Sequence, residues 1–244
     1  MVINLLPVLA FAAALLPVGL LMFYILRKDS LHPEPPKWLW LGGLFGVCSA
    51  FVALCFDRIF YDVSPLAHLP EGTVAKAVSD AFLSAAIPEE SAKLLMLWLL
   101  LRKNPYFDEY FDGIVYAACI GLGFAGFENI LYLFENINNL ASVALMRGLF
   151  SVPGHFFFAV TMGYYYSLAH FCSTTKKQKA KYMLLAILVP ILLHGIFDGT
   201  LMISDTIPAI SGILVILFVF FCHMTFKAGR KKIARMKTAS ELMA

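Results

Sequence analysis

Charged residues are scarce in this sequence. They make up 14% of its 244 residues, against 60% hydrophobic, and mean hydropathy is +0.78, which excludes an ordinary soluble domain of this size. A basic start is missing too. In "MVINLLPVLAF" the apolar run opens the chain and Arg27 and Lys28 follow it, the pattern of a retained helix rather than a cleaved leader. The five cysteines, Cys48, Cys55, Cys119, Cys172 and Cys222, form no CxxC pair and no metal-ligand spacing, so they read as small core residues. No internal repeat is visible, which weighs against the paired halves of many secondary transporters. Three hydrolase signatures are absent as well: HExxH, a GxSxG elbow, and GxGD, for which "GLGF" at 121–124 ends in the wrong residue, as judged against the known motif mechanics.

What the chain does have is long apolar runs. A helix needs about 20 mostly apolar residues to cross the hydrocarbon core. Seven such windows fall at approximately 4–26, 38–56, 81–101, 113–134, 149–171, 182–203 and 207–226. The expected fold is an all-α polytopic membrane bundle, with 1–226 as one domain and 227–244 as a basic tail. That tail, "KAGRKKIARMK", reads as an anchor against anionic headgroups. Residues 72–79 are too polar to span and read as an interfacial or re-entrant lead-in, while Pro33, Pro35 and Pro36 make 27–37 an extended linker. With the N-terminus outside, 15 of the 19 Lys and Arg fall in inner segments, three (Arg58, Lys76, Arg147) in outer ones, and Lys93 within a helix. The positive-inside rule then predicts N-out and C-in.

Ionisable groups facing lipid are costly, so those within spans turn inward and carry function. Here they are Glu89, Glu90 and Lys93 in the third span, Glu128 beside Asn129 in the fourth, His155 in the fifth, and His194 with Asp198 in the sixth. His170 and His223 lie near inner ends and read as interfacial. At about 1.5 Å per residue, the inward groups all fall roughly 8 to 14 Å below the outer boundary. Glu89 and Lys93, His194 and Asp198, and the row Arg147, Ser151, His155 each share a helix face. Gly121, Gly123 and Gly126 leave one side of the fourth helix without bulk, for close packing or a ligand. Polar residues of this kind also tether bundles, but an interhelical bond contributes only about 0.6 to 2 kcal/mol. Two adjacent carboxylates and two histidines at one depth are more than tethering needs. A carboxylate beside an imidazole can take a proton from water and return it to a leaving amine. His194 and Asp198 would then bind the oxyanion, or two histidines and a carboxylate would ligand a metal. Either route is hydrolysis. Ser151 and His155, four apart on a straight helix, do not favour nucleophile-to-base geometry.

Four blocks in order carry a resemblance. "PEESAK" at 88–93, "FDEYFDGIVYAACIGLGFAGFENILYL" at 107–133, "PGHFFFAVTMGYYY" at 153–166 and "LLHGIFDG" at 192–199 are similar to the EExxK, EN, H and HxxxD blocks of the PrsW intramembrane proteases. The similarity spans about 31–226. It implies a multi-pass endopeptidase of the bacterial plasma membrane. Such an enzyme clips single-span substrates on the extracytoplasmic side, typically an anti-sigma factor at site 1 of a stress response. Family roles fall on Glu89, Glu90, His155, His194 and Asp198, with Glu128 a further matched position. The distantly related CAAX prenyl endopeptidase and bacteriocin-immunity group carries EExxxR, FxxxH and HxxxN. This chain departs from it at Lys93, at Ser151 before His155, and at Asp198. A CAAX-type endopeptidase and a proton-coupled transporter are the alternatives. A zinc ion, if bound, falls to His155, His194 and Asp198; a metal-free carboxylate and histidine mechanism is preferred, since Lys93 would repel a cation.

Overall fold

The computed structural model describes residues 5–29 and 32–242 and is helical throughout, with no strand among the described residues. Among the described residues seven helices form the bundle: α1 (Leu6–Lys28), α2 (Pro36–Val63), α3 (residues 74–101), α4 (Asp112–Glu135), α5 (residues 140–171), α6 (Lys176–Thr206) and α7 (Ser211–Glu241). Six are long and apolar enough to cross a membrane, α3 being the exception. Its Lys76, Asp80, Glu89, Glu90 and Lys93 keep it outside that set, although it packs within the bundle between α2 and α6. Large apolar side chains such as Leu16, Trp40, Phe51 and Ile216 stay exposed around the rim, where a lipid phase rather than water stabilises them. Cys48 and Cys55 lie on that rim, whereas Cys119 and Cys222 are buried; all five cysteines are free thiols.

Local sequence explains the helix ends. α2 opens with Pro36 after an extended Pro35, a position where the missing N–H costs nothing. The Thr175 side chain caps α6 by accepting from the Gln178 N–H at 3.1 Å, a standard N-cap bond. α4 is the hub, packed against α1, α2 and α5. Its glycines serve close packing: a Cβ on Gly123 would run into the Gly43 backbone of α2, and one on Gly113 would meet Gly163 and Ser167 of α5. Small residues at both crossings let the backbones approach.

One expectation changes. Residues 74–79 are no separate lead-in. They are the first turns of α3, with Lys76 paired to Asp80 at 2.5 Å. Lys227, where the basic tail starts, lies within a helix that runs on to Glu241. Gly229, Ile233, Met236 and Ser240 are buried along this part, Ile233 and Met236 within the main core cluster. Their spacing of about one turn forms a packed stripe, beside which Lys232 and Arg235 stand 6.0 and 5.9 Å from the Tyr164 ring centroid.

Candidate active site

Of the four helices that supply the site groups, the three that carry Glu89 and Glu90, His155, and His194 have a proline just ahead of them. In α3 a π-helical segment, Asp80–Ala86, is followed by Pro88, Glu89 and Glu90. In α5 the π segment Arg147–Ser151 is followed by Pro153 and His155. Pro190 precedes His194 by one turn in α6. Proline removes an N–H and pushes on the preceding turn, and a wide turn accommodates both effects. The extra residue re-aims the side chains that follow. Glu89 and Glu90, about 100° apart on the helix, therefore differ in exposure although both reach Lys93. Glu90 and Lys93 are fully enclosed, at 0% and 1% side-chain exposure, while Glu89 keeps 15%.

A continuous hydrogen-bonded run crosses α3 to α6. Arg147 Nη2 donates to Glu128 Oε2 at 2.8 Å and Arg147 Nε to Asn129 Oδ1 at 2.7 Å. Glu128 Oε2 meets His155 Nε2 at 2.9 Å, and His155 Nδ1 meets Lys93 Nζ at 3.1 Å. Lys93 Nζ donates to Glu90 Oε1 at 2.8 Å and Glu89 Oε2 at 3.2 Å. Glu90 Oε1 then meets His194 Nδ1 at 3.0 Å, and His194 Nε2 meets Asp198 Oδ2 at 3.1 Å. The two imidazoles stand perpendicular with centroids 5.1 Å apart. Phe158 stacks on His194 at 5.3 Å. Because a lysine ammonium only donates, His155 Nδ1 must accept and Nε2 must carry the proton given to Glu128. His194, with a carboxylate on each nitrogen, can donate to both only as the imidazolium.

A cavity of about 430 Å³ opens onto this layer. Glu89, Glu128, His155, His194 and Asp198 line it; Glu90 does not. All six residues singled out from sequence thus lie in one layer. Ser151 also lines the cavity, but among the described residues no hydrogen bond joins it to His155, whose ring nitrogens serve Glu128 and Lys93. Arg147 belongs to the layer as well, although its charge was counted with the outer loops. The i, i+4 row through Ser151 to His155, together with the need of Glu128 and Asn129 for a donor, was the signal available. Phe124, with Lys93 Nζ 3.9 Å from its ring centroid, had no signal beyond being aromatic.

Comparison with known proteins follows the same residues. The profile of the family described as "PrsW family intramembrane metalloprotease" matches residues 34–225. The chain belongs to the PrsW family. A Protease PrsW of Clostridioides difficile (strain 630) is 36% identical over 195 residues, covering 80% of this chain and 79% of that protein. One from Geobacillus kaustophilus (strain HTA426) is 34% identical over 194 residues, 80% of each, and one from Bacillus subtilis (strain 168) 32% over 218, covering 89% and 94%. No solved structure matches. PrsW membership makes the protein a multi-pass intramembrane protease of the bacterial membrane rather than a transporter.

The family description implies a metal, and the donor types are present. One ligand atom each from Glu89, Glu90, His155 and His194 lies within 4.8 Å of the others, and Glu90 Oε2 is buried without a partner. Asp198, implied as a ligand by the sequence, stands instead on the far nitrogen of His194. The space does not fit, however. Lys93 Nζ already lies 2.8 to 3.2 Å from Glu90 Oε1, His155 Nδ1 and Glu89 Oε2, contacting three of the four residues with its own positive charge.

Proposed function

We propose that this PrsW protease cuts a single-span membrane protein on its extracytoplasmic side, using water activated by Glu89, and that its substrate class is an anti-sigma factor cut at site 1. One observation carries the mechanism: of the adjacent carboxylates only Glu89 lines the cavity, while Glu90 is enclosed between Lys93 and His194. Glu89 takes a proton from water as the oxygen attacks the scissile carbonyl. His194, also lining the cavity, gives a proton to the leaving amine as the carbon–nitrogen bond breaks. Glu89 Oε2 is 3.9 Å from His194 Nδ1, too far for direct transfer but within reach through one water, which returns the proton taken by Glu89 to the ring. Asp198 and Glu90 hold that ring from both sides. Lys93, His155, Glu128 and Arg147 hold the layer in register, so that little reorganisation is left for the reaction itself.

The side of the cut rests on orientation. In α4 and α6 the site residues lie nearer the ends that lead into the short turns Ile137–Asn139 and Pro208–Ile210, away from the basic segments 102–112 and 172–181. Positive-inside orientation makes that the outer side. The anti-sigma factor rests on the resemblance of the four sequence blocks. Purified protein incubated with a single-span substrate tests the proposal. Wild type is expected to cut once, in the extracytoplasmic half, with the position read by mass spectrometry. Cutting at the cytoplasmic end, or an undiminished rate with Glu89→Gln, overturns it.

A further inference from the structure

We propose that the Lys93 ammonium permanently occupies the place a divalent cation takes in metal-dependent hydrolases, so that the native site excludes zinc and becomes a zinc site only when Lys93 is removed. The inference builds on the mechanism proposed above but concerns occupancy of the site, not cleavage.

The Lys93 ammonium has three N–H groups, and three acceptors meet them: Glu90 Oε1 at 2.8 Å, His155 Nδ1 at 3.1 Å and Glu89 Oε2 at 3.2 Å. The face of Phe124, 3.9 Å away at its centroid, covers a further side, where a ring quadrupole attracts a cation. The side chain is 1% exposed. The ammonium is therefore held by a complete shell, as a small metal ion would be. Its partners belong to the same residues, Glu89, Glu90 and His155, that join His194 as the possible metal ligands. Zinc binds oxygen and nitrogen at about 2.0 to 2.2 Å, so an ion bonded to these groups would lie against the ammonium inside a low-dielectric bundle. Arg147, 13% exposed and joined to Glu128, adds a second fixed cation nearby. Two positive charges are thus already set against the carboxylates before any metal arrives.

The arrangement also assigns Lys93 a positioning role. By donating to His155 Nδ1 it fixes the tautomer whose Nε2–H meets Glu128, a choice that a metal on Nδ1 would otherwise make. By bonding Glu89 and Glu90 together it holds one carboxylate at the cavity and the other behind it. Replacing Lys93 with Met keeps most of the stem and removes the charge. Two carboxylates and two imidazoles are then left facing an unoccupied space, the donor set that a tetrahedral zinc ion prefers.

The test reads metal content without substrate, so its result stands apart from whether the chain cleaves a single-span protein. Wild type and Lys93→Met are purified in detergent, equilibrated with zinc, freed of unbound metal and assayed for zinc per chain. Wild type is expected to hold less than about a tenth of an equivalent and Lys93→Met close to one, as for a closed set of four ligands. Adding His194→Ala to Lys93→Met should abolish the gain. Stoichiometric zinc in wild type, removable by chelator, overturns the proposal, and this arm needs no variant to fold. A Lys93→Met protein with wild-type helicity and monodispersity that takes up no zinc overturns it equally.

Discussion

Two clusters of buried carboxylates sit at opposite ends of this bundle, and they are built differently. In the layer across α3 to α6, Glu90 and Glu128 pair with lysine, arginine and imidazole. At the other end Asp29, Glu34 and Asp112 are buried with hydroxyl and backbone partners. Glu34 meets the Tyr116 hydroxyl, Asp29 accepts the Glu34 N–H at 3.3 Å, and Asp112 accepts the N–H groups of Asp108 and Glu109 at 3.0 and 2.6 Å. Burial, only partly offset by the Glu34 N–H, pushes Asp29 up to about 7. Burial with the nearby Asp112 charge pushes Glu34 up to about 9, against the Tyr116 hydrogen bond. Burial raises the pKa of Asp29 and Glu34 and leaves them to tie the loop together, whereas the carboxylates of the layer stand beside cations. Burial of acids alone therefore does not mark an active site, whereas burial with cations and an adjoining cavity does.

The sharpest way to break that comparison is at Glu89. Glu89→Gln should lower the cleavage rate of the purified enzyme by about a hundredfold to ten-thousandfold with unchanged helicity, while Glu34→Gln at the other end leaves the rate within about twofold of wild type, as a change remote from the chemistry should. Similar losses in both would erase the distinction. Next in size is Glu90→Gln, which takes the negative charge from the shortest partner of Lys93. Removing one member of a buried pair costs about 3 to 5 kcal/mol, so a large fall in thermal stability is expected, in contrast to Glu89→Gln. Arg147→Met takes the guanidinium from Glu128, a charged hydrogen bond of about 1.5 to 3 kcal/mol. Turnover should fall about ten- to hundredfold, with Arg147→Lys restoring part of it because one donor replaces the fork.

The smallest effect is one of pH. Glu34 and Asp29 have folded-state pKa values above their ordinary ones, so between the two values the folded chain holds more protons than the unfolded. Their contribution is fully present at acid pH and is lost as pH rises through about 7 for Asp29 and about 9 for Glu34. Linkage then predicts a melting temperature lower by about a few degrees at pH 9 than at pH 5. Glu34→Gln should flatten the slope, and a melting temperature that rises over this range would contradict the account.

Most of the polar layer was legible beforehand because intramembrane charge is costly and helical period is regular. Glu89, Glu90 and Lys93 could be put on one helix, and His194 and Asp198 on one face, by counting alone. Arg147 was not legible as part of the layer, since a cation near a helix end satisfies the positive-inside count from either side. The second carboxyl cluster was missed because Asp29 and Glu34 fall in a Pro-rich segment read as linker, and Asp112 starts a helix. The packed stripe of α7 was hidden under six basic residues that made composition change where structure does not.

By itself the sequence determined the helical membrane bundle, the family and which helices carry the polar groups, since hydropathy, residue spacing and motif order are properties of the chain alone. Tertiary structure decided which of two adjacent glutamates meets the cavity, because two π-helical turns rotate α3 and α5 by amounts no fixed period encodes. It also decided that an ammonium stands among the donors Glu89, Glu90 and His155. Glu89 and Glu90 reach Lys93 along one helix, but its contact with His155 depends on how α3 and α5 pack, and that distance is not written in either of them.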